Sequence, residues 1–265
     1  MKGILNMPLS PLIRRALTVI VAFVMLNAVG YAQTPPPARQ LLDSMIQALG
    51  GSQFLDVKEI QTSGRFFTFK REEVSQSDLF TDYIKFPDME RLELGREKEK
   101  TIQINRGLEG WTVKPPLKAK DDPEVEEQPV AQTQDFLKTF KTSFDYVMRF
   151  VVNSPKASVL NAGTESVDSR RADVLEVRDA DRNLLRIFID RQTRLPLKMQ
   201  TRMANEATMH EEVYANWHKF NGVMTPLMVV RYKDGARTIE IRATQAAYNP
   251  GFADSMFAPP APKSK

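Results

Sequence analysis

Leu184–Tyr248 reads LLRIFIDRQTRLPLKMQTRMANEATMHEEVYANWHKFNGVMTPLMVVRYKDGARTIEIRATQAAY, and this stretch decides the fold. Apolar and polar side chains roughly alternate along it, which is the period of strands that bury one face. Asn221–Gly222 is the strongest hairpin signal, because both residues tolerate the positive φ angles of a type I′ turn. Arg191–Thr193 and Lys233–Ala236 are further short turns. Since these connections are too short to hold crossover helices, we predict an antiparallel sheet.

The rest of the chain supplies a second set of strands and two helices. Residues 58–114 predict another antiparallel set, in which Gly64 marks a bulge. Residues 134–152 repeat phenylalanine and valine at helical steps, which predicts the clearest helix of the chain. A shorter amphipathic helix ends at the glycine pair Gly50–Gly51. Residues 115–134 are rich in proline and charge, and we expect an exposed, mobile loop there.

These elements predict one α+β domain. We expect about ten strands in one large curved antiparallel sheet that wraps two main helices and buries aromatic and methionine side chains between the layers. The domain is expected to span residues 33–258, after a signal peptide at 1–32 and before a disordered tail at 259–265.

The N-terminus has the pattern of an export signal. A basic start precedes an apolar core at residues 16–30, which is too short for a comfortable membrane span. Small residues at Gly30 and Ala32 predict cleavage before Gln33, with an uncleaved membrane anchor as the alternative. The chain has no cysteine, so it can carry neither a disulfide nor the lipid of a bacterial lipoprotein. We therefore predict a soluble periplasmic protein, or a secreted one if the cell has no outer membrane.

The charge of the chain gives no sign of a nucleic-acid partner. The formal net charge of +4 falls close to zero once Lys2, Arg14 and Arg15 are removed with the signal. Nucleic-acid binding requires a clear basic excess on one face of a protein. That class of function is therefore not expected.

The sequence also argues against an enzyme or a metal site. It contains no Gly-x-Ser-x-Gly motif, no cysteine nucleophile and no glycine-rich phosphate loop. Its two histidines, His210 and His218, are eight positions apart on one predicted strand, which separates them by roughly 26 Å. We expect no catalytic residue, no metal ligand and no cofactor.

Three segments resemble a known family of exported proteins. Ile189–Pro196 is similar to the strand–turn–strand pattern of the outer-membrane lipoprotein-sorting proteins, in which an acid and two spacers precede Thr and then Leu-Pro. Phe220–Pro226 resembles a later turn of that family, and Asn249 with Phe257–Pro259 resembles its C-terminal end. The family includes the LolA and LolB carriers and the RseB-type sensors. The resemblance implies an unclosed β-barrel capped by helices, with an apolar interior that accepts acyl chains.

Flexible and aromatic side chains suggest where an acyl chain would bind. Methionine is flexible and polarizable, so it suits a surface that must accept variable chains. Met199 and Met203, like Met224 and Met228, are spaced to share one face of a strand. A methionine-rich packed core is the alternative reading. By its position alone, Arg65 resembles the arginine with which the family's carriers latch their helical lid. The predicted ligand-binding residues are Arg65, Phe67, Phe69, Trp111, Phe140, Phe144, Met199, Met203, Met224 and Met228.

Two classes of function follow from this reading. The first is a monomeric periplasmic carrier or binder of acylated ligands, either lipoprotein or lipid, working with a membrane-bound donor or acceptor protein. The second is a periplasmic sensor or assembly module that binds a partner protein without lipid transfer. An exposed edge of an unclosed sheet could capture such a partner as an added strand.

Overall fold

A computed structural model describes residues 37–116 and 122–260 of the chain. The predicted signal peptide and most of the predicted tail lie outside the described residues. Within the described part, no helix is long and apolar enough to cross a membrane.

In the part of the chain that the structure describes, thirteen strands form one sheet in which all pairings are antiparallel. Its order is β6-β5-β4-β3-β2-β1-β13-β12-β11-β10-β9-β8-β7, so the sheet consists of two meanders joined where β1 pairs with β13. Among the described strands, the end strands β6 and β7 do not pair with each other, so the barrel is not closed. The strands are β1 Glu59–Lys70, β2 Glu73–Lys85, β3 Met89–Leu94, β4 Thr101–Arg106, β5 Glu109–Lys114, β6 Glu124–Glu127, β7 Ser158–Val167, β8 Arg170–Arg178, β9 Leu184–Asp190, β10 Pro196–Arg202, β11 Met209–Phe220, β12 Val223–Lys233 and β13 Ala236–Tyr248.

Helices cover one face of this sheet, which we call the inner face. They are α1 Ala38–Leu49, α2 Ser52–Leu55, α3 Val130–Lys141 and α4 Phe144–Tyr146, which continues into a π-helical turn at Val147–Val151. We call α3, α4 and this turn the cover helices. The main hydrophobic core lies between the helices and the inner face, and α1 buries the apolar stripe predicted for it: Leu41, Leu42, Met45, Ile46 and Leu49.

The predicted hairpin turns are confirmed. Asn221 and Gly222 have φ angles of 47° and 87°, and Asp234 and Gly235 have 50° and 80°. Positive φ at both central positions is the geometry of a type I′ turn, whose twist matches that of the flanking strands.

The region after β5 differs from its prediction. Residues 124–127 are not loop but the edge strand β6, which pairs with β5. The helix predicted at 134–152 begins earlier, at Val130, and is interrupted near Thr142 and Ser143, where the Ser143 hydroxyl accepts a hydrogen bond from the Tyr146 amide. Charge and proline content concealed the strand, because all four of its residues are exposed and show no apolar period.

The C-terminal segment packs on the outer face of the sheet. A single turn of 3-10 helix, Asp254–Phe257, sets the fully buried Phe257 against Ile104 and Val113. Glu59 holds this segment in place, because its carboxylate accepts hydrogen bonds from the backbone amides of Gly251 and Phe252 at 2.6 and 3.0 Å.

Asp190 organises the turn between β9 and β10. Its carboxylate is 2% exposed, and its Oδ1 accepts hydrogen bonds from the Gln192 and Thr193 amides at 2.6 and 3.0 Å. The other oxygen pairs with Arg170. This network gives a physical reason for the acid at the start of the motif at 189–196.

Replacing Asp190 with alanine is expected to lower the free energy of unfolding by about 2 kcal/mol, because two turn amides lose their charged acceptor. Asp190→Asn keeps an acceptor oxygen and should lose less. Urea unfolding followed by circular dichroism would measure both variants. Equal losses in the two variants would contradict the role assigned to the turn hydrogen bonds.

Candidate ligand-binding cavity

A cavity of about 220 Å³ lies between the inner face and the cover helices. Its floor comes from the neighbouring strands β3, β2, β1, β13, β12 and β11. The ends of α1 and α2 contribute Leu49 and Phe54 to its wall. Most of the lining is apolar, and its aromatic members are Phe54, Phe86, Phe140, Phe144, Tyr214, Trp217 and Tyr248.

Several of these rings contact one another and form a continuous wall. Phe144 lies 6.3 Å from Phe54 and 5.8 Å from Tyr214, measured between ring centroids, and Tyr214 lies 6.1 Å from Trp217. Aromatic pairs at such separations are attractive beyond the area they bury. The wall is therefore a packed aromatic surface, in which each of these rings is held by contacts with its neighbours.

A second pocket of about 330 Å³ adjoins the first. Ser143, Glu212 and Arg231 line both spaces, so the two meet at these side chains. Met199 and Met203 belong to the second pocket.

Charged side chains form a network where the spaces meet. Arg231 Nε donates to Glu212 Oε1 at 2.8 Å, and the Tyr214 hydroxyl donates to Glu212 Oε2 at 2.8 Å. Burial, followed by the nearby Glu212 charge, raises the pKa of Tyr214 well above its ordinary value. Both oxygens of Glu212 are thus engaged within the protein.

Asp82 and Glu90 face the same cavity from β2 and β3. Burial raises the pKa of Glu90 to about 7, and a favourable interaction with Arg231 limits the rise. Burial, followed by repulsion from Glu90, raises the pKa of Asp82 well above its ordinary value. Perturbed carboxyl groups in a cavity are typical of functional sites, although structural networks produce them too.

A buried arginine supports the wall from behind. The Arg149 side chain is 2% exposed, and its guanidinium stacks 4.2 Å from the Phe54 ring centroid and 5.3 Å from that of Phe86. Its Nη1 donates to Asp145 Oδ1 at 2.6 Å, whereas Nε and Nη2 have no hydrogen-bond partner among the described residues. Arg149 thus joins the cover helices to the rings of Phe54 and Phe86.

The structure brings some of the predicted binding residues to these spaces. Phe140, Phe144 and Met224 line the inner cavity, and Met199 and Met203 line the adjoining pocket. That they bind a ligand stays a prediction.

Three predicted residues, Phe67, Phe69 and Met228, do not line either space. Phe66 is paired with Ile241, which lines the cavity, so Phe67 at the next position points to the outer face. There Phe67 stacks with Arg242 at 4.9 Å, and Phe69 stacks with Arg237 at 4.0 Å. Met228 lines neither space, unlike Met224, and it pairs with Arg242, whose guanidinium stacks on the outward-facing Phe67, so Met228 also belongs to the outer face.

Trp111 and Arg65 are also placed elsewhere. Trp111 packs against the outer-face cluster around Phe257, and Arg106 lies over its ring at 5.7 Å. Arg65 is exposed and donates to the Ser77 hydroxyl of β2 at 3.2 Å. Among the described residues, the hydrogen bond of Arg65 is to the neighbouring strand and not to a cover helix, so its role as a latch stays a prediction.

The sequence reading missed the polar residues of the cavity. Asp82 lies two positions before the inward-facing Ile84, and Arg231 lies two positions after Val229. Charges in phase with the apolar face of a strand were the available signal, because alternate residues share a face. Among the described residues, no group of three or more acids or histidines could hold a metal ion.

No protein-family model and no curated protein matches the chain in sequence. Solved structures do match its fold. A DUF1329 family protein from Desulfovibrio piger is 16% identical with a TM-score of 0.57, covering 84% of this chain and 98% of that one. A LolA superfamily protein from Nitrosomonas europaea is 10% identical with a TM-score of 0.53, covering 84% and 98%. A putative outer membrane lipoprotein-sorting protein domain from Vibrio parahaemolyticus is 12% identical with a TM-score of 0.52, covering 83% and 97%.

At such identities the likeness concerns the fold. It confirms the predicted architecture of an unclosed antiparallel barrel covered by helices. The chain therefore has a LolA-like fold.

Proposed function

We propose that this protein is an exported, monomeric binder or carrier of acylated ligands, whose apolar chain occupies the space between the inner face and the cover helices. The signal peptide at 1–32 would direct it to the periplasm, where a membrane-bound donor or acceptor would exchange ligand with it. The observation that carries the proposal is the cavity with its aromatic wall. The fold shared with a lipoprotein-sorting domain supports it.

The volumes of the inner cavity and of the adjoining pocket suit an acyl chain that occupies both. Ligand sites typically measure about 300–1,000 Å³, so the inner cavity of 220 Å³ would use the adjoining pocket of 330 Å³ as well. Each buried CH₂ contributes about 0.8 kcal/mol. A chain of moderate length therefore gives enough free energy to offset the ordering of both partners.

The helix α3 is the element best suited to open. Of its 12 residues only Thr133 and Phe140 are buried, whereas α1, of equal length, buries five. Fewer buried contacts mean a smaller free-energy cost of local displacement. Movement of α3 would uncover the wall that Phe140 closes.

Filling the cavity should weaken ligand binding. Val229→Phe adds a ring inside the space, so we expect its affinity for a fluorescent fatty acid to fall at least tenfold, because the acyl chain loses its volume. Met228→Phe adds the same ring one position earlier, on the outer face, and serves as the matched control. Fluorescence titration measures both. Equal affinity in the two variants would place the ligand elsewhere.

Mass spectrometry of the protein isolated from its own cell envelope tests the natural cargo. The proposal expects lipid or acylated peptide to co-purify with the wild type and to be depleted in Val229→Phe. A wild type that is free of ligand and also fails to bind the fluorescent fatty acid would overturn it.

A partner-binding module remains the second candidate, and the sheet edge favours it. The strand β7 is the last in the sheet order, and its Leu160 is 55% exposed. An open edge can accept an added strand from a partner protein. Affinity capture from periplasmic extract that retains one protein in wild type and loses it in Leu160→Asp, with no lipid bound, would support this candidate.

A further inference from the structure

Asp82 and Glu90 form a carboxyl pair on the inner face. In the register of β2 and β3, Asp82 pairs with Leu92 and Ile84 pairs with Glu90, so the two acids are diagonal neighbours on one face. The Oδ1 atom of Asp82 is buried and has no hydrogen-bond partner among the described residues. A buried acceptor without a partner is costly, and a ligand that donates to it removes that cost.

The other charged side chains that line the cavity are already paired. Arg149, which keeps two guanidinium nitrogens without a partner among the described residues, lies behind the rings of Phe54 and Phe86 and is not part of the lining. Glu212 accepts from Arg231 at 2.8 Å, and Asp145 accepts from Arg149 at 2.6 Å. Within residues 37–116 and 122–260, neither acid of the carboxyl pair has an ion-pair partner within 4 Å. The lining therefore holds more carboxyl groups than cations, and its one lining arginine is engaged.

Aromatic rings line the same cavity. Phe86, Tyr214 and Trp217 contribute their rings, and the indole Nε1 of Trp217 is buried without a partner in the described part of the chain. Ring faces attract ammonium groups, and sites for organic cations combine such rings with carboxylates. An anionic head would instead meet two carboxyl groups and an arginine that Glu212 already occupies.

We propose that the ligand of this cavity carries an ammonium group on its hydrophobic body, and that this group is seated against Asp82 and Glu90. The inference rests on the proposed function, since it names the head of the ligand whose chain occupies the cavity. The ammonium donates hydrogen bonds to the carboxyl pair, and the chain extends along the aromatic wall.

The chain offers its own reporter for a test. It has two tryptophans, and Trp111→Phe leaves Trp217 in the cavity wall as the remaining one. Ligands are titrated below their aggregation concentrations at pH 7.5, with Trp217 fluorescence as the readout. Octylamine and octanol form one matched pair. Dihexanoyl phosphatidylethanolamine and dihexanoyl phosphatidylglycerol form a second pair, in which the amine belongs to a lipid head.

We expect the amine of at least one pair to bind at least tenfold more tightly than its partner. The pair that shows the preference identifies the source as a free amine or a lipid head. Asp82→Asn and Glu90→Gln, made in the same background, should abolish the preference while octanol still binds. Glu73→Gln is the matched control, because Glu73 is an exposed acid on the same strand as Asp82. Thermal unfolding checks that each variant is folded.

The outcomes separate this inference from the proposed function. If all eight-carbon ligands bind equally and the two carboxyl variants change nothing, the apolar site stands and the ammonium head is overturned. If neither octanol nor octylamine binds and Val229→Phe has no effect on fatty-acid binding, the proposed function itself fails. A preference that survives in both Asp82→Asn and Glu90→Gln would also overturn the assignment of the carboxyl pair.

Discussion

Replacing Gly64 with alanine is expected to lower the free energy of unfolding by 3 to 4 kcal/mol, at the upper end of what overpacking produces. A Cβ at this position would lie 2.1 Å from the carbonyl oxygen of Arg242 and 2.8 Å from the Cα of Ala243. Both are backbone atoms of β13, so no side-chain rotation can relieve the clash. The strands β1 and β13 would have to separate where they join the two meanders of the sheet.

Ser63→Ala is the matched control for this prediction. Ser63 precedes Gly64 at the bulge where the register of β1 against β13 shifts, and alanine there adds no atom. Urea unfolding should show a change within about 0.5 kcal/mol for Ser63→Ala. If Gly64→Ala lowered the free energy of unfolding by less than about 1 kcal/mol, the pairing of β1 with β13 would tolerate a backbone shift, contrary to this prediction.

Local signals in the sequence were sufficient to predict the hairpins. They were not sufficient to predict the pairing of β1 with β13. Asn221–Gly222 determines its turn through φ preferences of two adjacent residues. The pairing of Ile60 with Tyr248 joins residues far apart in sequence, and alternation alone specifies neither their adjacency nor their register. The Gly64 bulge was predictable, because glycine inside a strand signals close approach of another backbone.

The candidate site was predicted only in part, because local patterns place residues on a helix more reliably than on one face of a strand. Helical periodicity correctly identified Phe140 and Phe144 as buried residues of the cover helices, since an amphipathic helix buries one apolar stripe. Phe66 and Phe67 are adjacent aromatic residues on one strand, and a phase error of one residue selects the wrong face. The prediction chose Phe67, whereas the structure turns Phe66 inward opposite Ile241.

Aromatic residues can also lie on the outer face because of long-range contacts that the sequence does not reveal. Trp111 is half-buried on the outer face, where it packs against the cluster formed by the returning C-terminal turn. The docking of the turn at Asp254–Phe257 depends on the Glu59 hydrogen bonds, which join distant parts of the chain. Local patterns contain no information on such contacts.

The stability of the ligand-free protein is expected to fall by about 3 kcal/mol between pH 5 and pH 8 through the carboxyl pair. The folded-state pKa of Glu90 is about 7, above the ordinary value of 4.5. An acid with a raised folded-state pKa keeps its proton in the folded protein while the unfolded chain has released it. Stability is therefore highest below pH 4.5 for this group and is lost as the pH rises through 7. Asp82 shifts in the same direction.

The groups that face Glu90 set the size of this effect. Burial raises the pKa of Glu90 and Arg231 on β12 lowers it, while burial and the charge of Glu90 raise the pKa of Asp82 on β2. The other charged and titratable residues of the lining are Glu212, Tyr214, Asp145 and Tyr248, and Arg149 lies behind the rings of the wall. The acids whose pKa values are lowered, Glu59, Glu93, Glu206 and Asp254, act with the opposite sign: their contribution to stability is lost as the pH falls through their folded-state pKa values, which lie on the acid side of this window.

Glu90→Gln should remove most of the pH dependence, because an amide does not titrate, and should stabilise the protein more at pH 8 than at pH 5. Urea unfolding at both pH values measures the difference, with the exposed Glu73→Gln as the matched control. An equal decline in Glu90→Gln and wild type would mean that Glu90 is ionised in the folded protein at no cost in stability.

Octylamine adds a second measurement: if the carboxyl pair holds an ammonium group, the amine should restore stability at pH 8 in wild type and not in Glu90→Gln. The same two acids would then account for both the lost stability of the empty cavity and the selectivity of the filled one, since a carboxylate that lacks a partner in the fold gains it from the ligand.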